Sequence, residues 1–94
     1  MNILANKVYA HVDSVITQPL EHGLAIIGSE TDKIIILNVT GAAIWRLFDG
    51  LTPCSQIASK VALQFSAPVE QVTDEVYALI ERLALTNLIL EKNT

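Results

Sequence analysis

The spacing of apolar positions changes character near Asn38. Upstream of it, β-branched residues and turn formers alternate in the manner of strands and hairpins. Val8, Tyr9, Val12 and Val15 are interspersed with polar residues, which suits a loosely phased strand over residues 8–15. Gln18-Pro19-Leu20-Glu21-His22-Gly23 reads as an interruption: Pro19 has no N–H for a ladder and Gly23 tolerates positive φ. Residues 24–28 and 33–37 then flank the polar run Ser29-Glu30-Thr31-Asp32, a pattern that predicts a β-hairpin.

Downstream of Asn38 the period is helical. A first helix is predicted over residues 39–48, with Asn38 or Thr40 as N-cap and Asp49-Gly50 closing it. Thr52, as cap, and Pro53, at the first helical position, open a second helix. Within it Ile57, Ala58, Val61, Ala62 and Phe65 fall at helical spacing. Ser66-Ala67-Pro68 breaks the chain and restarts it as a third helix over residues 68–86. There Val69, Val72, Val76, Leu79, Ile80 and Leu83 share one arc, with Tyr77 at its edge. The opposite arc holds Glu70, Gln71, Asp74, Glu75, Glu81 and Arg82, interrupted by Ala78 and Leu85 on one stripe. Leu88-Ile89-Leu90 reads as a short closing strand or a docked tail. The short turn between the second and third helices makes them a helix-turn-helix pair, so the expected class is α+β and winged helix-turn-helix-like. A three-helix bundle with a β-flap is the runner-up.

Composition narrows the class. The 94 residues suit a single domain spanning 1–94. With 51% hydrophobic and 17% charged residues the chain is not a disordered acidic one. Mean hydropathy is +0.43, yet the longest apolar windows stop far short of the about 20 residues that span a bilayer, so no membrane segment is expected. The N-terminus has no charged region ahead of an apolar core, so it is not a signal peptide. A lone cysteine, Cys54, allows neither an internal disulfide nor a Cys-based zinc site, and the chain reads as cytoplasmic. A domain this small buries only about 60% of its unfolded surface, so part of the apolar excess is expected to face a partner.

Candidate chemistry is sparse. His11 and His22 lie away from any cysteine or carboxylate at metal spacing, and both read as ordinary surface or edge residues. Cys54 reads as a small packing residue, and the adjacent Asp74 and Glu75 as part of a solvated helix face. No metal, cofactor or enzymatic activity is expected. Six Lys+Arg against ten Asp+Glu give a charge of −4. The helix that would enter a DNA groove presents Glu70, Asp74, Glu75 and Glu81 against Arg82, which argues against nucleic acid.

Residues 33–37 are the exception. Ile34, Ile35, Ile36 and Leu37 run consecutively, so both faces of this strand want cover. At a sheet edge such a strand is a template for an added one. At a sheet centre it is simply buried, and a homodimer would cover it equally well. The pattern leaves these three open.

The stretch Leu37-Asn38-Val39-Thr40-Gly41-Ala42-Ala43-Ile44-Trp45-Arg46-Leu47-Phe48-Asp49-Gly50 resembles the PqqD-like family, the peptide-recognition domains called RiPP recognition elements. The shared pattern is Leu-Asn-x-Thr-Gly, then Ile-Trp, then Asp-Gly. Thr52, Ile57, Phe65, Val72, Asp74, Val76, Leu83, Leu88 and Ile89 extend it, so that the resemblance covers residues 23–90. Asn87 stands where the family usually has Gly, and Asn tolerates the left-handed conformation. Trp45 reads as the main core anchor.

The resemblance implies a three-stranded antiparallel sheet followed by three helices. It implies a stand-alone, non-catalytic protein that binds the leader segment of a ribosomally made precursor peptide and presents it to a modifying enzyme. That enzyme would be a radical S-adenosylmethionine enzyme or a leader peptidase or macrocyclase. The leader would add to Lys33, Ile34, Ile35, Ile36 and Leu37, with Val72, Glu75, Val76, Leu79 and Arg82 forming the wall of the groove. Lys33 and Arg82 would attract acidic leader residues. The alternative is a homodimerising adaptor, or a winged-helix regulator without leader binding.

Overall fold

The computed structural model describes residues 3–28 and 33–92. After a short 3-10 turn, Ile3–Asn6, the order is β1 (Val8–His11), β2 (Val15–Leu20), β3 (Gly23–Gly28) and β4 (Lys33–Asn38). Then come α1 (Val39–Arg46), β5 (Asp49–Pro53), α2 (Cys54–Phe65), α3 (Val69–Leu85) and β6 (Ile89–Lys92). The α+β class, the three-stranded antiparallel sheet and the three helices agree with the reading of the sequence. The turn at residues 29–32 lies outside the described residues.

Strands β2, β3 and β4 form an antiparallel meander with β3 in the middle. Its inner face carries the rows Thr17–Ile26–Ile35 and Pro19–Leu24–Leu37, and its outer face carries Ile16–Ile27–Ile34 and Gln18–Ala25–Ile36. Ile35 and Leu37 are buried, whereas Ile34 and Ile36 are 65% and 59% exposed and Ile16 55%. Of the two faces of β4 that want cover, the helices thus cover one and leave the other open. The interruption expected at Gln18 to Gly23 is also corrected, since β2 runs through Gln18, Pro19 and Leu20. It is an edge strand, where a missing N–H is tolerated. Gly23 has no positive φ; a Cβ there would instead collide with the backbone carbonyl oxygen of Leu37.

A second sheet, with strand order β5-β1-β6, was not anticipated beyond its closing strand. The single strand expected over residues 8–15 is broken after His11, and its two parts enter different sheets. The first helix ends earlier than expected: α1 stops at Arg46 with Leu47 as its C-cap, through Leu47 N–H to Ile44 O and Phe48 N–H to Trp45 O, both 3.0 Å, so Asp49-Gly50 does not close it. The same residues then begin β5, with Gly50 at φ +79°.

The helix caps follow from side-chain chemistry. Asn38 Oδ1 accepts from Gly41 N–H at 2.8 Å and starts α1 directly at the end of β4. Thr52 does not cap α2. Its N–H and hydroxyl both donate to Asp49, whose carboxylate also takes the Leu51 N–H, and Pro53 occupies the cap position. Helix α2 ends on Ser66 in the left-handed region, with Ala67 N–H returning to Ala62 O. Helix α3 ends similarly: Asn87 has φ +59° and Leu88 N–H bonds Leu83 O at 2.9 Å. Asn thus fills the left-handed position as the sequence suggested.

Between the meander and the helices lies the core, with Ile26, Ile44, Phe48, Ile57, Val61, Val76 and Leu83 fully enclosed. Trp45 is 2% exposed, in keeping with its reading as an anchor. His11 lies flat on its ring at 3.7 Å and donates from Nε2 to the Trp45 carbonyl at 2.7 Å. Tyr9 meets Phe48 edge to face, 6.2 Å between centroids. Two aromatic contacts therefore tie β1 to α1 and its C-terminal turn.

Gly23→Ala is expected to lower unfolding free energy by about 1–3 kcal/mol, because β3 and β4 must separate to admit the methyl group. Urea denaturation measures this. At Asp49, burial raises the pKa, but the bonds from Leu51 and Thr52 outweigh it and hold the carboxyl below its ordinary 3.8. A depressed folded pKa gives stability that is present above the unfolded value and is lost as pH falls through the folded one. Stability of the native protein is therefore expected to fall more steeply than that of Asp49→Asn as pH drops from the unfolded value through the folded one, as acid-denaturation curves will show.

Candidate functional site: the groove between β4 and α3

Only β3 pairs with β4 among the described residues, so the far edge of β4 is free. In an antiparallel strand alternate residues turn their N–H and C=O groups to opposite sides, and half of those of β4 therefore point outward. At the C-terminal end of this strand is an open cavity of about 710 Å³. Ile36, Leu37 and Asn38 of β4 line it, together with Gly41 and Ile44 of α1. The tight turn between β2 and β3 contributes Leu20, Glu21 and His22, and α3 contributes Glu75, Ala78, Leu79 and Arg82.

The α3 residues fall at i, i+3, i+4 and i+7, which is one stripe of a helix. It borders the core stripe of Val72, Val76, Leu79, Ile80 and Leu83 and shares Leu79 with it. The helix thus faces the core with one stripe and the groove with the next. Ala78 is the smallest side chain of the groove stripe and keeps the cavity open where a longer residue would fill it.

Of the ten residues expected at the site, Ile36, Leu37, Glu75, Leu79 and Arg82 are brought together here. Lys33 and Ile34 lie exposed on the same strand, outside the cavity. Ile35, Val72 and Val76 are buried in the core. Of the two apolar residues that interrupt the polar face of α3, Ala78 lines the groove, whereas Leu85 is 79% exposed and lies outside it. Leu20, Glu21 and His22 were not anticipated, since their stretch reads as a strand break. The signal for them is the two-residue turn Glu21-His22, which folds β2 back on β3 beside the end of β4.

The lining is apolar on its floor and charged at its rim. Glu75 and Arg82 belong to α3, and Glu21 pairs with His22 at 3.9 Å when the imidazole is protonated. Among the described residues no three His, Cys, Asp or Glu side chains gather as a metal site. Cys54 is buried away from the groove, and burial pushes its thiol up to about 11. Among the described residues no helix is long and apolar enough to cross a membrane. Cys54 is therefore expected to resist Ellman's reagent at pH 8 in the native protein and to react promptly in guanidinium. A fast reaction in the native state would mean that the start of α2 opens.

Free edge, apolar trough and charged rim together define a surface for an extended chain. The family match agrees with that class: the model for PqqD, coenzyme PQQ synthesis protein D, matches residues 23–89, and the chain belongs to this family. None of the curated proteins matches the sequence significantly. Among solved structures, TbiB1 in complex with the TbiA(beta) leader peptide is 18% identical, covers 85% of this chain and 93% of its own, and has a TM-score of 0.73. A lasso peptide synthetase B1 complexed with the leader peptide gives 18%, 87%, 96% and 0.72. The PqqD truncation of Methylobacterium extorquens PqqCD, a stand-alone RiPP recognition element, gives 19%, 88%, 88% and 0.73. At these identities the likeness shows a shared fold.

Proposed function

We propose that this chain is a non-catalytic binding protein that takes the leader segment of a ribosomally synthesised precursor peptide as an added strand on β4. It then presents that peptide to a modifying enzyme, in the biosynthesis of a peptide-derived product or of coenzyme PQQ. The observation that carries the reading is the free edge of β4 lying directly beside the apolar trough of α3. Membership of the PqqD family supports it, as do the leader peptides bound by TbiB1 and the lasso peptide synthetase B1.

The physical mechanism is affinity without bond making. Backbone hydrogen bonds along β4 hold the leader in register, each contributing about 0.5–1.5 kcal/mol net. Alternate leader side chains enter the trough, where apolar contact contributes about 25 cal/mol per Å² removed from water. A bound leader has one end fixed and its core region free, which raises the concentration of that region at an enzyme's active site. The radical S-adenosylmethionine enzyme and the leader peptidase or macrocyclase are both compatible with this role.

The outer face of the meander, with Ile16 and Ile34 exposed, favours a second contact through the same sheet. The modifying enzyme or a second copy of the chain would cover it without occupying the groove.

The test is fluorescence anisotropy with labelled leader segments of short precursor peptides encoded beside this chain. Binding is expected, and Ala78→Glu is expected to weaken it at least about tenfold, equal to ~1.4 kcal/mol, by putting a carboxylate in the trough. Ala78 is exposed, so the variant folds. Ile35→Asp is unsuitable, because it buries a charge in the core. Leader binding that is indifferent to Ala78→Glu, or no binding to any such leader, would overturn the reading.

A further inference from the structure

Resting on the leader-binding reading of the same groove, we propose that the groove selects an extended peptide with a charge-flanked apolar residue. An acidic and a basic side chain stand two positions to either side of one large apolar side chain, all on the strand face that meets α3.

Glu75 and Arg82 stand on the groove stripe of α3 with Ala78 and Leu79 between them. Seven residues of helix separate their Cα atoms by about 10.5 Å along the axis. That is two turns, beyond the one-turn spacing at which helix side chains pair. It also exceeds the Debye length of about 8 Å at physiological salt, so each charge acts on its own. The ion pairs among the described residues are Lys7 with Glu91 at 3.0 Å and Glu21 with His22 at 3.9 Å, and neither Glu75 nor Arg82 takes part in one. On its α3 side the groove therefore presents one carboxylate and one guanidinium, neither in an ion pair, at either side of an apolar floor, with the Glu21 carboxylate on the β2–β3 turn across from them.

An extended strand rises about 3.3 Å per residue and repeats a face every second residue. For a strand laid along the axis of α3, positions i and i+4 lie about 13 Å apart, within reach of 10.5 Å for flexible Glu and Arg side chains. Positions i and i+2, about 6.6 Å apart, would leave no side chain over Ala78, Leu79 and Ile44. The i, i+2, i+4 spacing alone satisfies both charges and fills the floor. The basic residue faces Glu75 and the acidic residue faces Arg82, and strand direction fixes which comes first. The expectation that the site favours acidic leaders is in this way refined: Arg82 takes an acid, but Glu75 demands a base.

The test is selection from a displayed library of random fourteen-residue peptides against the full chain, with Ala78→Glu as counter-target to remove peptides that bind elsewhere. Groove-dependent peptides are expected to share acid-x-apolar-x-base in one fixed order. The double variant E75R/R82E, its fold checked by circular dichroism, is expected to select the reverse order. Against a selected peptide, Glu75→Gln should weaken binding about two- to fivefold, and less at high salt. It should cost nothing further once the peptide's basic residue is glutamine. Groove-dependent peptides without the charge pattern would overturn this inference and leave leader binding standing. Absence of any groove-dependent peptide would overturn both.

Discussion

Ile35 and Leu37 point from β4 into the core, where they stand in rows with Ile26 and Leu24 of β3. Because side chains alternate along a strand, this anchoring also decides where everything else on β4 goes. Ile34 and Ile36 must face outward, and the backbone edge must lie in the plane of the sheet, beside α3. A slip of one residue would exchange the two sets and bury the wrong isoleucines. Asn38 then fixes the end of the strand by capping α1 in the next residue, so the strand cannot rotate independently of the helix beneath it. The groove is thus a by-product of core packing: Leu37 packs in the core and Asn38 caps α1, and both also line the cavity.

The second sheet does its work from the other side. By pairing with β5 and β6, β1 gathers the N-terminus, the α1–α2 connection and the C-terminus into one layer. Lys7 and Glu91 form an ion pair across it, and Tyr9 and His11 carry the contact onward to Phe48 and Trp45. Helix α1 is short, and the constraint on its C-terminal half comes from these aromatic contacts. Its N-terminal half is held by Asn38. A helix fixed at both ends gives the groove a rigid wall, which favours binding without reorganisation.

How much of this was legible in the sequence depended on how local the determining contacts are. Helix α3 repeats its apolar positions over 17 residues, long enough for the period to stand clear. The β3–β4 hairpin announces itself through two apolar runs around a polar turn. The β1–β5–β6 sheet has strands of four or five residues whose partners are distant in sequence, so neither periodicity nor turn chemistry reveals it. Pro19 misled for a related reason: whether a strand tolerates proline depends on its being an edge, which is a tertiary fact. The residues of α3 that line the cavity combine Glu, Ala, Leu and Arg, a stripe with no apolar signature. The core stripe next to it has a strong one and includes Val72 and Val76, which lie buried outside the cavity lining. Ala78 was the visible clue, as a small apolar residue on an otherwise polar face.

The central claim is that the free edge of β4 receives a strand, and amide hydrogen exchange read by NMR tests it directly. In the free protein, alternate amides of β4 should exchange quickly while those bonded to β3 are protected. On saturation with a binding leader peptide the fast set should become protected and the other set should change little. A bound peptide that leaves the outward amides of β4 exchanging freely would contradict strand addition.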